Sequence, residues 1–145
     1  MKRSQTFLSF DFGIKSIGVA SGQNVTGTAA PLKTLKAQNG VPSLDEMDIL
    51  FEEWKPTKIV VGLPLNMDGS EQPLTDCARQ FAHFICTRYK ILVNLHDERL
   101  STIEARDMLF KQKGFQALRK DHIDSFSAVI ILEGWIESTL SGSII

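Results

Sequence analysis

The sequence predicts an α/β fold: a mixed five-stranded sheet, its first three strands antiparallel, flanked by helices on both faces. Three observations carry this. Strand-like segments come first and in a row, separated by turn residues, and later apolar runs alternate with segments of helical periodicity. A length of 145 residues with 43% hydrophobic content is enough for one substantial core and cramped for two, so residues 1–145 read as a single domain. Three early strands followed by α/β alternation imply a mixed sheet with helices on its faces.

The elements follow in order. Phe7 to Phe10 is short, apolar and aromatic, and Ile17 to Ser21 follows after a break containing Gly13, so the pair reads as a hairpin. A third strand lies between Gly27 and Leu35. At Pro42-Ser43 the rhythm changes: Leu44, Met47, Leu50, Phe51 and Trp54 recur at helical spacing, and Ser43 with Glu46 forms a capping-box pattern. This helix ends before Pro56. Lys58 to Gly62 is a continuous apolar run, as expected of a strand covered on both faces. After a loop from Leu63 to Gln72, a second helix begins near Pro73 and carries Leu74, Cys77, Ala78, Phe81, Phe84 and Ile85 on one side. Ile91 to Leu95 is the fifth strand. Ser101 and Glu104 repeat the capping-box spacing ahead of a third helix, and a last helix runs from about Asp124 to Ser138. Trp54 and Trp135 fall in apolar helical patterns and read as packing residues.

Composition narrows the function classes. No apolar run approaches the roughly 20 residues needed to cross a bilayer, and Met-Lys-Arg-Ser-Gln leads straight into a strand, so neither a membrane span nor a signal peptide is expected. Cys77 and Cys86 lie about two and a half helical turns apart, too far along the axis to bridge, which fits reduced thiols in a cytoplasm. A formal net charge of −1 excludes an overall basic domain, so a nucleic-acid partner must be met by a local patch.

Three carboxylates occupy informative positions. Asp11 ends the first strand, where side chains of open α/β sheets point into the crevice used for ligands. Glu98 lies just past the fifth strand. Asp124 starts the last helix, where a carboxylate gains from the helix N-terminus. Three ionised groups converging on one edge would repel one another, and a hard divalent cation, Mg²⁺ or Mn²⁺, is the usual resolution. Each acid alone has a plainer reading, as a turn residue or a helix cap, and position does not decide between them.

The segments Asp11-Phe-Gly-Ile-Lys-Ser-Ile-Gly-Val-Ala20, Val61-Gly-Leu-Pro-Leu-Asn-Met-Asp-Gly69, His96-Asp-Glu-Arg-Leu-Ser-Thr102 and Ile123-Asp-Ser-Phe-Ser-Ala-Val-Ile-Ile-Leu-Glu133 strongly resemble the YqgF family, also called RuvX. The likeness runs from about residue 6 to residue 137. It implies a bacterial cytoplasmic, metal-dependent nuclease with a ribonuclease H-like fold, processing the 5′ end of precursor 16S ribosomal RNA or, alternatively, resolving four-way DNA junctions. The family's acidic positions map onto Asp11, Glu98 and Asp124. Ile14 departs from the family, which commonly has Thr or a basic residue there.

The second acid is the one to examine. A related nuclease usually takes it from the strand beside the first, where this chain has Gly62-Leu-Pro. Glu98 follows the next strand out, roughly 10 Å from Asp11 across two strand spacings of about 4.8 Å. A glutamate reaches that far, which favours Glu98 over Asp97; Asp68 in the adjoining loop is the main rival ligand. Gly13 and Lys15 would set backbone amides and a cation beside Asp11 for a phosphate, or form a plain hairpin turn. Asn66 is either a hydrogen-bond donor to substrate or a loop residue. Arg99 would contact phosphate or pair with a neighbouring acid. Lys111, Lys113, Arg119, Lys120 and His122 form a basic stretch before Asp124 that tracks a nucleic-acid backbone, unless it is only a solvated loop. Partners on this reading are precursor ribosomal RNA or branched DNA, with possible ribosome association, and the chain acts as a monomer or homodimer. Two other classes stand beside it: a non-catalytic ribosome-associated binding module, and an actin-like ATP-binding unit whose phosphate loop Asp-Phe-Gly-x-Lys-x-x-Gly resembles, but which needs two such domains.

Overall fold

The computed structural model of the chain describes residues 5–23, 29–98 and 120–142, and of residues 120–126 and 140–142 the backbone. Strands β1 (Thr6–Asp11), β2 (Ser16–Gln23) and β3 (Ala29–Gln38) form an antiparallel meander, extended by the two-residue β4 (Val41–Pro42). Helix α1 (Leu44–Trp54) leads to β5 (Lys58–Leu63), and helix α2 (Pro73–Tyr89) to β6 (Val93–Asp97); both strands run parallel to β1. Helix α3 (Lys120–Gly142) closes the described chain. The sheet order is β4-β3-β2-β1-β5-β6, six strands rather than the five expected, because the chain doubles back at Asn39-Gly40 to pair Val41 and Pro42 with the end of β3.

Local chemistry sets the helix ends. The Ser43 hydroxyl accepts from the Glu46 amide and caps α1, and Lys55, in the left-handed region at φ 43°, ends it. Pro73 opens α2 behind a reciprocal cap between Gln72 and Thr75. Several boundaries differ from expectation by one to four residues, and two of them bear on the site. β6 begins at Val93, not Ile91, since Lys90 ends α2 in a left-handed turn and Leu92 is exposed. The last helix begins at Lys120, because nothing in Lys120-Asp-His-Ile123 breaks helical backbone. The helix expected from Ser101 lies outside the described residues. No helix among those described is long and apolar enough to cross a membrane.

Alternation along the strands builds two different faces. On the α1/α2 face Leu8, Phe10, Ile17, Val19, Leu35, Ile59 and Val61 form the main core with Met47, Leu50 and Phe51 of α1 and Ala78, Phe81 and Ile85 of α2. The Phe10 ring lies 6.3 Å from Phe51 and 5.6 Å from Phe81. Trp54 packs at the margin of this core, as expected. On the other face α3 lays Ile131, Leu132 and Ile136 against Phe7 and Val60, and Ala128 and Val129 against Ala20. Trp135 meets Phe7 edge to face at 5.3 Å.

Candidate functional site

The site lies on the α3 face, at the carboxyl end of the parallel strands. β1 points Phe7, Ser9 and Asp11 to that face. The buried Ser9 hydroxyl donates to the Ala128 carbonyl at 2.7 Å, and Phe7 meets Trp135 one strand-repeat back. Helix α3 therefore runs antiparallel to β1, with its N-terminal part toward Asp11. Asp11, half-buried, is the last residue of β1 and pairs with Gly18 of β2. On its other side the β1–β5 ladder reaches Phe10 and Val61, so one step further on Asp11 lies beside Gly62. Glycine on both sides leaves room around the carboxylate on a face where other residues would project side chains.

Glu98 uses that room. It follows β6 directly, and β6 pairs Gly62 with His96 and Leu63 with Asp97. Alternation from this register turns Asp97 to the α1/α2 face and His96 and Glu98 to the α3 face. A Cβ on Gly62 would stand 2.6 Å from Oε1 and 3.0 Å from Cγ of Glu98, and 2.5 Å from Cδ1 of Ile131. The Glu98 side chain thus lies across β5, over Gly62, on the strand that separates β6 from Asp11. A side chain crossing β5 toward Asp11 has to pass over this glycine.

Asp124 does not start its helix. Its backbone stands four residues into α3, which already includes Lys120. Its backbone position still matters. Asp124 precedes Ala128 by about 6 Å of helix rise, and Asp11 extends about 7 Å beyond Ser9, the residue bonded to Ala128. The two acids keep pace along antiparallel elements.

The other expected residues separate. Asp68 accepts from the Ser70 amide at 2.9 Å and hydroxyl at 2.5 Å, within the loop after β5. Asn66 is tied to the same serine, its side-chain nitrogen donating to the Ser70 hydroxyl at 3.0 Å. The backbone of this loop is closed by Asn66-to-Ser70 and Gly69-to-Asn66 bonds of 2.9 Å. Gly13 is needed for close approach, since a side chain there would collide with the Ser16 carbonyl oxygen. Lys15 is exposed on the same turn, and its carbonyl accepts from Ala37. Lys120 opens α3, whereas Arg99, Lys113 and Arg119 lie outside the described residues. Among the described side chains, of which that of Asp124 is not one, no group of three His, Cys, Asp or Glu is placed to hold a metal ion. Cys77 and Cys86 are free thiols.

Two residues escaped the sequence reading. Gly62 was assigned to strand and loop, although a glycine closing the apolar run Ile59-Val-Val61 is itself a mark of close approach by another group. His96 is 5% exposed, and its Nε2 has no hydrogen-bond partner among the described residues. Burial holds its imidazole below the ordinary histidine range, with the charge of Asp97 pulling weakly the other way.

A family model described as RuvX, Holliday junction resolvase, matches residues 5–138. A protein of Pectobacterium carotovorum named "Putative pre-16S rRNA nuclease" is 57% identical over 136 residues, 94% of this chain and 98% of that protein. An Escherichia coli protein of the same name is 60% identical over 134 residues, 92% and 97% of the two chains. Among solved structures, Thermus thermophilus RuvC in complex with a Holliday junction superposes with a TM-score of 0.59 at 13% identity, covering 94% of this chain and 96% of that one. The yeast mitochondrial Holliday junction resolvase gives 0.55 at 10% identity over 90% of this chain and 77% of that one. These structural likenesses show a shared fold, the ribonuclease H-like one expected.

Proposed function

This chain belongs to the RuvX family, and from that premise we propose that it is a divalent-metal-dependent nuclease that processes the 5′ end of precursor 16S ribosomal RNA. The observation that carries the reading is the Glu98 carboxylate lying over Gly62, beside the strand that ends in Asp11. Two hard-oxygen donors lie on one face of the sheet, with the backbone of Asp124 level with Asp11, and such a donor set suits Mg²⁺ or Mn²⁺. Asp11, Glu98 and Asp124 would hold the ion. When bound, it supplies charge neutralisation at the phosphate and a water made more nucleophilic.

The chain's own residues do the rest. Asp11 and Glu98 fix where the scissile phosphate sits; Gly18 leaves space beside Asp11, and Gly62 makes room for Glu98 itself. Lys15, exposed two residues past the turn glycine, offers a cation to an adjoining phosphate. Lys120, Arg99, Lys113 and Arg119 would supply further cations to the substrate backbone. A cytoplasmic location fits the two free thiols and the ribosomal substrate. The second reading, cleavage of four-way DNA by a homodimer, is favoured by the family description and by the fold shared with junction-bound RuvC.

The test incubates the pure protein with precursor 16S RNA and with a four-way DNA junction, each with Mg²⁺, Mn²⁺ or EDTA. Metal-dependent cleavage of the RNA alone is expected; cleavage of the junction alone would replace the substrate. Asp11→Asn should lower cleavage by at least about a thousandfold, the scale seen when one member of a catalytic unit is removed. A folded variant that cuts normally would overturn the assignment.

A further inference from the structure

The residue after Asp11 opens a second feature that the carboxylate site does not use. Between the Asn39-Gly40 turn and α2 lies a cavity of about 240 Å³, lined by Phe12, Phe81, Phe84 and Cys77, with Asn39 and Gln80 among its polar members. Phe12 and Phe81 form adjoining walls, their rings 5.3 Å apart and tilted by 41°. Gly40, at φ 80°, brings its backbone onto the edge of the Phe12 ring, where a Cβ would stand 2.9 Å from Cζ. From this geometry we propose that the cavity is a nucleobase pocket: it takes one unstacked base of the strand whose phosphate lies at Asp11. The proposal rests on the nuclease reading above and adds to it a way of holding single-stranded substrate.

Position is the first argument. Asp11 and Phe12 are consecutive residues at the end of β1, so the carboxylate and the aromatic wall serve the two faces of one sheet edge. The turn between them is tied to the pocket rim, since Gly40 donates to the Ile14 carbonyl and Ala37 to that of Lys15, both at 2.9 Å. A cation, a carboxylate and an aromatic cavity are thus held on one short segment. A strand with its phosphate at Asp11 would reach this rim by turning over the sheet edge at residues 13–15.

Chemistry and size are the second. Sites for drug-sized ligands span about 300 to 1,000 Å³, so 240 Å³ is the size for a single ring system. Aromatic walls suit any base, because every base has a π-face, and single-strand binders use such platforms. The amides of Asn39 and Gln80 supply groups for a base edge. The Gln80 nitrogen already donates to Asp76 at 2.9 Å, which leaves its carbonyl oxygen as an acceptor. The cavity is also open: Asn39 and Gln80 are exposed, and Val41 at its lip is 60% exposed. A mere packing gap within the core would be closed and wholly apolar.

The test uses a fluorescein-labelled single-stranded RNA spanning the 5′ junction of precursor 16S RNA, together with a set bearing one abasic ribose at each successive position. Binding is measured by anisotropy to the full chain carrying Asp11→Asn, in Mg²⁺. One position is expected at which base removal weakens binding by about tenfold, the scale of one base stacked on an aromatic side chain. Phe84→Leu, which keeps an apolar wall but removes its aromatic face, should weaken the intact RNA and abolish the sensitivity at that position. Alkylation of Cys77 in a Cys86→Ser background adds bulk at the cavity wall and, with the fold checked by circular dichroism, should do the same. The proposal is overturned if no position is sensitive, as when the cavity holds an apolar side chain of a protein instead, or if the sensitivity survives both blocks. Because binding is read without cleavage, these results stand apart from whether the chain cuts RNA.

Discussion

Strand β1 sends Leu8, Phe10 and then Phe12 to one side of the sheet and Phe7, Ser9 and Asp11 to the other, and the two sides are furnished differently. Toward α1 and α2 the neighbours are Ile17, Val19, Ile59 and Val61, large and buried. Toward α3 they are Gly18, Ala20, Val60 and Gly62, with His96 and Glu98 beyond. One face is filled; the other is hollowed at its carboxyl end. Burial on the first stabilises the fold, while small residues on the second give helix α3 and the Glu98 side chain room to approach. A strand of six residues serves both because its side chains alternate.

Substitutions should respect that division. Phe10→Ala empties the filled face and should cost about 3 to 5 kcal/mol of stability, read by urea unfolding, with the cleavage rate of the folded fraction unchanged. A proportionate loss of intrinsic activity would break the separation of the faces. Gly62→Ala tests the hollow face: its methyl group meets both Glu98 and Ile131, so cleavage should fall about a hundredfold, as a misplacement of about 1 Å can cost that much. Its loss of stability should be smaller, about 1 to 3 kcal/mol. Ser9→Ala, which removes the hydroxyl bonded to Ala128, should cost about 1 kcal/mol and loosen α3 against β1.

A smaller effect concerns pH. Burial depresses the folded-state pKa of His96 below its ordinary 6.5. The unfolded chain takes up a proton near that pH which the folded chain refuses, so His96 costs nothing above about 6.5 and lowers stability progressively as pH falls below it. Unfolding midpoints measured from about pH 7 to 5 should drop more steeply for the wild type than for His96→Gln. Equal slopes would mean that the imidazole is charged in its site.

Much of this was legible in the sequence. Apolar runs and capping patterns located β1, α1, β5 and α2, because in each a local signal and a buried face agree. β6 was shifted by two residues, since Ile91-Leu-Val93 is apolar throughout and only the end of α2 at Lys90 sets where pairing begins. The start of α3 was misplaced because Asp124 is a good cap by composition, while the helix in fact reaches back to Lys120. In the candidate site, the place of Asp11 at the end of β1 was readable from the sequence. The preference for Glu98 over Asp97 rested on a reach argument in the sequence; the strand register adds that the two acids are directed to opposite faces, Glu98 to the one that carries Asp11. Gly62 was not seen as a site residue, because its role depends on what lies above it from another strand.

Asp97 and Glu98 are therefore the sharpest probe, two consecutive acids directed to opposite faces of one sheet. Mn²⁺ binding by calorimetry, paired with the cleavage rate of precursor 16S RNA, should be measured for Glu98→Gln and Asp97→Asn. The account predicts that Glu98→Gln loses both, while Asp97→Asn keeps both within a few-fold. Retained metal binding and cleavage in Glu98→Gln, with loss in Asp97→Asn, would contradict it and move the site to the other face.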